Sequence, residues 1–243
     1  MTKYIHQGGP WMDLSGKRIQ AHGGSVMHVA NNYYWYGENK EFTIPGSNIW
    51  QNGVNCYSSK NLIDWQFQNT ILRPAKLPSE PLHPTRIMDR PHVIFNKRTQ
   101  NYVMWMKLVG TVSEPHNWNY QYMGIATAKH LTDEFKLVNK IVPLGMSSGD
   151  FDLFVDDDGT AYLVFGKVHT EIVVADLTPD YLDLTGDYTT HLHFIGPPIA
   201  REAPAVFKAD DKYYLFTSGT TGYYPNTTML AVADGIHGPW YIA

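Results

Sequence analysis

Four times along the chain, a short apolar strand passes through a polar turn into a tyrosine-rich strand. Residues 25–29 turn at 30–32 into 33–37, and residues 92–95 turn through 96–101 into 102–106. Residues 153–155 turn at 156–159 into 161–165, and residues 205–208 turn at 209–211 into 213–216. Asn, Asp and Gly supply the turns while Tyr, Val, Phe and Trp fill the strands, which is the chemistry of β-hairpins. Further strands follow each hairpin: 55–59 and 65–67, then 123–127 and 135–137, then 171–175, then 228–233. A four-stranded unit that recurs along a chain is the pattern of β-propeller blades, because each sheet needs its neighbours to cover its faces. The reference tyrosines Tyr34, Tyr102, Tyr162 and Tyr214 lie 68, 60 and 52 residues apart, which are blade-sized periods with loop insertions. The expected fold is all-β, a single domain over residues 1–243 of the five-bladed β-propeller type. Four blades are legible and the fifth is missing or incomplete, since residues 3–20 are too few for a blade and the fourth unit ends near residues 238–241.

Composition narrows the function classes. Hydrophobic residues make up 43% and charged residues 17%, as in a globular protein. Net charge is −4 with no Lys/Arg cluster, which argues against nucleic-acid and anionic-membrane partners. No apolar run reaches the length of a membrane span. Cys56 stands alone, so neither an internal disulfide nor a cysteine metal cluster can form. The N-terminal residues lack the apolar segment of a secretion signal, so the expectation is a cytoplasmic protein, or a secreted one whose signal is absent from this sequence. Uncovered blade edges would offer a route to self-association.

In a propeller the innermost strands line the axis, so equivalent positions of distant repeats converge. Asp89 lies 13 residues before Tyr102, Asp150 lies 12 before Tyr162, and Glu202 lies 12 before Tyr214. The first repeat has His22-Gly23-Gly24 in that region. Carboxylates brought together repel, which raises the pKa of at least one of them. A protonated acid beside ionised neighbours is what glycosidic bond cleavage uses. Glu38, which ends the first tyrosine strand, is a fourth carboxylate placed to bind sugar hydroxyls.

These pieces, with Asp89-Arg90-Pro91, Ser148-Gly149-Asp150 and Glu202-Ala203-Pro204, make the chain resemble glycoside hydrolase family 43 from about Asp13 to Trp240. The resemblance implies an inverting enzyme on a five-bladed propeller, with Glu202 as general acid and Asp150 tuning its pKa. The family's usual base position falls at Gly23, which carries no ionisable side chain. That departure is similar to the exo-β-1,3-galactanase branch, in which a last-blade Gln positions the attacking water; its counterpart would lie beyond Ala243. The branch further implies sugar-binding roles for Asp89, Glu38 and His22, a contacting loop at Thr220 and Gly222, and stacking by Trp118 or Tyr120. The expected substrate is a galactan-type oligosaccharide or polysaccharide, with terminal β-linked galactose released. Two alternatives remain at this stage: an α-L-arabinofuranosidase or β-xylosidase of the same fold, and a non-catalytic carbohydrate-binding propeller. No cofactor is expected, although His22 with Asp89 and Asp150 could hold a calcium ion. The run Asp156-Asp157-Asp158-Gly159 reads as a hairpin turn, because it lacks the rest of a calcium loop.

Overall fold

The computed structural model describes residues 4–5 and 8–243, and these residues form four antiparallel sheets of four strands each. Blade 1 contains β1 (His22–Val29), β2 (Asn32–Glu38), β3 (Val54–Ser59) and β4 (Gln66–Leu72). Blade 2 contains β5 (Ile87–Asn96), β6 (Asn101–Val109), β7 (Gln121–Ala128) and β8 (Lys136–Ile141). Blade 3 contains β9 (Ser148–Val155), β10 (Ala161–Lys167), β11 (Glu171–Leu177) and β12 (Leu184–His191). Blade 4 contains β13 (Arg201–Ala209), β14 (Lys212–Gly219), β15 (Met229–Ala233) and β16 (Tyr241–Ile242). Each blade runs in chain order from its inner to its outer strand, and the inner strands β1, β5, β9 and β13 pack in succession. All four repeated hairpins are therefore blade halves. Strand β12, with the sequence LTGDYTTH, carried no apolar alternation and was not legible beforehand.

Alternation along the second strand of each blade builds the core. In β6, Met104 and Met106 face blade 1 beside Tyr36 and Cys56, while Trp105 faces blade 3 beside Phe165 and Val173. Successive strand side chains point to opposite faces, so a strand buried on both sides reads as a continuous apolar run. The Trp105 indole donates to the Tyr181 carbonyl at 2.9 Å, which ties blade 2 to blade 3. Trp105→Ala is expected to cost about 3–5 kcal/mol in urea unfolding, through the cavity and the orphaned carbonyl.

A fifth sheet is not present among the described residues, and the blades at the two ends of the row each leave one face uncovered. On blade 4, Tyr213 and Leu215 pack towards blade 3, while Phe216 and its stacked neighbour Phe207 stay 37% and 43% exposed. On blade 1, Tyr36 packs towards blade 2, while Trp35 on the opposite face meets Trp11 and Trp65. Val26, on the same face as Trp35, is 46% exposed.

Candidate active site

Each inner strand enters the central cavity through a bulge. Three residues of the inner strand there span two of its partner: His22 to Ser25 against Glu38 to Tyr36, Asp89 to His92 against Lys107 to Trp105, and Glu202 to Ala205 against Ser218 to Phe216. The residue that makes the kink is left-handed in all three, with φ of 57° at Gly23, 55° at Arg90 and 49° at Ala203. Bulges of this kind re-aim side chains and bend the strand. Asp89 and Glu202 are thus equivalent, and the same step in blade 1 is His22, with Gly23 at the kink.

Blade 3 departs from this pattern. Its bulge runs from Ser148 to Phe151 and contains no left-handed residue, so Ser148 occupies the shared step and Asp150 stands two residues further on. The expectation that all three carboxylates share one strand position is corrected: two do, and Asp150 reaches the cavity from a different step. Counting from tyrosines hid this because the hairpin turns differ in length, with residues 30–31 closing one and 97–100 another.

The cavity, of about 250 Å³, nevertheless collects side chains from all four blades, among them His22, Glu38, Asp89, Asp150 and Glu202. Three of the carboxylates are neutralised in place. Glu38 meets the Lys40 ammonium at 2.6 Å and the Arg90 backbone N–H at 3.0 Å, with His22 Nδ1 at 3.6 Å. Asp89 accepts from the Trp50 indole N–H at 2.8 Å and lies 3.5 Å from the Lys107 ammonium. Asp150 Oδ1 takes both Arg90 Nε at 2.5 Å and Lys107 Nζ at 3.0 Å. Burial alone would raise the Asp150 carboxyl, but Lys107 and Arg90 outweigh it and hold the group below its ordinary value. Glu38 is likewise held low, because the contacts with His22, Lys40 and the Arg90 amide overcome burial.

Glu202 is different. Its carboxyl makes no hydrogen bond and no ion pair among the described residues. Burial first, and the Asp150 charge second, push its pKa above the ordinary value against the opposing pull of Arg90, Lys107 and Arg201. One cavity therefore holds two carboxyls held low, Glu38 and Asp150, and one, Glu202, poised to keep its proton, which is the separation that acid catalysis requires.

The depressed groups predict the acid stability of the fold. A carboxylate with a lowered folded pKa stabilises the native state above its unfolded value, and that contribution is lost as pH falls through the folded value. The ordinary values are 4.5 for Glu38 and 3.8 for Asp150, so their contribution should be intact near neutrality and vanish progressively below these values. Melting temperature followed from pH 7 to pH 2 should show this fall, with a shallower slope in Asp150→Asn.

Trp118 lines the cavity as expected, edge-on to Trp50 at 5.7 Å. Gly222 lines it too, together with Tyr223. Tyr120 is a correction: it faces a separate cavity near Arg86 and packs on Tyr122 at 5.5 Å, because strand alternation sends Gln121 inward and its two neighbours outward. Thr220 is not among the cavity's lining residues, and its backbone N–H is held by the Pro198 carbonyl at 3.1 Å. Trp50, Lys107, Gln121 and His169 line the cavity without having been singled out from the sequence. Lys107 alone carried a signal, as the lone charge inside an apolar stretch of β6. Trp50 binds Asp89 from a loop, where no periodicity points to it. Trp50→Phe should raise KM several-fold with a smaller change in kcat, by freeing Asp89 from its indole donor; initial rates over a substrate series measure both.

A Cβ on Gly23 would meet Glu38 Oε1 at 2.8 Å, so the Glu38 carboxylate fills the space a side chain there would take. Asp89 and Asp150 turn towards cations, and no group of three or more metal-ligating side chains occurs among the described residues. The acidic run at 156–159 is a hairpin turn, with Asp156 bound by Lys208 at 2.7 Å.

Comparison with known proteins gives this geometry a lineage. A family 43 β-1,3-galactosidase structure matches with a TM-score of 0.85 and 31% identity, over 98% of this chain and 48% of that one. An exo-β-1,3-galactanase from Phanerochaete chrysosporium, solved with β-1,3-galactotriose, matches with a TM-score of 0.86 and 30% identity, over 98% of this chain and 52% of that one. A xylan 1,3-β-xylosidase from a Vibrio species is 23% identical over 229 residues, covering 90% of this chain and 40% of that protein. The chain thus spans about half the length, or less, of these relatives. The model of glycosyl hydrolases family 43 matches residues 19–243. With its propeller blades and its cluster of one raised and three neutralised carboxyls, the chain belongs to glycosyl hydrolase family 43.

Proposed function

We propose that this chain forms the catalytic face of an inverting glycoside hydrolase that removes terminal β-linked galactose from galactan-type chains, with Glu202 as general acid. The observation that carries this reading is the isolation of Glu202: of four carboxyls in the cavity, it alone makes no ion pair and no hydrogen bond among the described residues. Protonated Glu202 donates to the departing glycosidic oxygen. Asp150 stays ionised and keeps the acid's proton on. Asp89 and Glu38 accept hydrogen bonds from hydroxyls of the terminal sugar, Trp118 and Trp50 wall it in, and water attacks the anomeric carbon from the opposite face. The galactose preference draws support from the names of the β-1,3-galactosidase and galactanase structures at about 30% identity.

With Glu38, Asp89 and Asp150 each bound to cations, the reading places the group that holds the attacking water outside these four blades. A fifth blade, bearing that group and covering the aromatic faces of blades 1 and 4, fits the exposure of Val26, Phe207 and Phe216. A structure of the full natural polypeptide showing these residues still in solvent would remove this part of the reading.

The xylosidase match keeps a pentosidase as a second reading. Assays of the natural protein on aryl β-galactoside, β-xyloside and α-L-arabinofuranoside, with the product anomer followed by proton NMR, separate the two. Release of α-galactose supports the proposal. Activity confined to a pentoside overturns the substrate, and sugar binding without turnover of any substrate overturns catalysis.

A further inference from the structure

Lys107 lies at the centre of this cavity. It is only 6% exposed and occupies the β6 position opposite Asp89. The matching second-strand positions are Glu38 in blade 1, Lys167 in blade 3 and Ser218 in blade 4; Lys167 is taken up by Glu171 at 2.9 Å and does not line the cavity, so of the two lysines at this step only Lys107 meets the cavity's carboxylates. Its ammonium is 3.0 Å from Asp150 Oδ1, 3.5 Å from Asp89 Oδ2 and 5.6 Å from the centre of the Trp118 ring. A buried ammonium is costly unless its charge is met, and two carboxylates from different blades meet it here. The other charged or titratable groups facing the cluster are His22 on β1, Glu38 on β2, Lys40 after it, Arg90 on β5, His169 after β10, Glu202 on β13 and Tyr223 after β14, with the Arg201 charge acting on Glu202 from its own strand. Four carboxyls thus face three strong cations, Lys40, Arg90 and Lys107.

We propose that Lys107 is a positioning residue that assigns the cavity's one exchangeable proton to Glu202, by holding Asp150 as a carboxylate at 3.0 Å. This rests on the reading of Glu202 as the acid. With Lys107 in place, a proton on Asp150 would sit against two cations, whereas a proton on Glu202 displaces none. Without it, Asp150 keeps only Arg90, and Asp89 keeps only the Trp50 N–H and the more distant Lys40 at 3.9 Å. Asp150 and Glu202 then compete for the proton and titrate as a coupled pair, with its upper step moved to higher pH. The same change loosens Asp89, so sugar binding weakens as well.

The test is the pH dependence of kcat/KM in the natural protein, on a β-galactoside with a poor leaving group, for Lys107→Met and Lys107→Arg. In Lys107→Met the limb at high pH should move up by about one pH unit, with kcat/KM at the original optimum lower by about tenfold. Lys107→Arg keeps the charge and should keep the limb. A folded Lys107→Met whose limb stays in place overturns the proposal, since loss of packing alone lowers rates without moving a limb. So does a Lys107→Arg limb displaced as far as that of the Met variant. If Lys107→Met does not fold by circular dichroism, Lys107→Gln, which retains an N–H donor, carries the same expectation. Glu202→Gln, measured alongside, separates the two levels. Undiminished activity there overturns the acid assignment itself, whereas an inactive Glu202→Gln with an unmoved Lys107→Met limb overturns only the role of Lys107.

Discussion

Glu202→Gln should lower kcat by about 10²–10⁴-fold on substrates whose leaving sugar needs a proton, with little change in binding of the released monosaccharide. The amide keeps the shape of the carboxyl but has no proton to give. Because Glu202 makes no hydrogen bond and no ion pair among the described residues, the substitution removes no polar contact there, and the fold should be untouched. The loss should depend on the leaving group: a nitrophenyl glycoside departs as a stabilised anion and should suffer far less than a galactobiose. The limb of the pH profile at high pH, which reports loss of the acid's proton, should disappear in the variant. Equal losses on good and poor leaving groups would show that Glu202 does not act as the proton donor. Kinetics on the two substrate types from pH 4 to 9 decide the matter.

The largest effect on stability is expected at Gly24. A Cβ there would lie 1.7 Å from the Tyr36 carbonyl oxygen and 2.6 Å from the Gly37 Cα. Both obstacles are backbone, so no side chain can swing aside, and β1 must separate from β2 just where His22 and Glu38 enter the cavity. Gly24→Ala should therefore cost roughly 4 kcal/mol or more, at the upper end of single substitutions, and remove activity together with the fold. Gly46→Ala is the control. Its φ is 82° but nothing lies within 4 Å of its Cβ, so the expected cost is about 1 kcal/mol, from the left-handed backbone alone. Urea unfolding of the two variants compares them directly. A Gly24→Ala protein as stable as the control would mean that the β1–β2 contact is looser than its geometry implies.

The repeats made the blades legible because hairpins are local: alternation and turn chemistry lie within about fifteen residues of each other. Asp89, Asp150 and Glu202 were legible as a group for the same reason, each sitting at a similar distance from a tyrosine. The finer equivalence was not, since hairpin turns of unequal length, residues 30–31 in blade 1 against 156–160 in blade 3, shift every count made from a tyrosine. Tyr120 was misplaced because its loop joins β7 at a phase that sequence alone leaves open, and Trp50 was missed because an isolated loop tryptophan has no periodicity.

Residue types and their spacing determined on their own that this chain forms repeated four-stranded sheets and that three inner strands carry acids near one end. Which acid keeps its proton is a tertiary matter. It depends on Lys107 and Arg90 reaching Asp150 across blade boundaries while no cation among the described residues pairs with Glu202, and electrostatic energy follows distance in space, with no regard to separation along the chain.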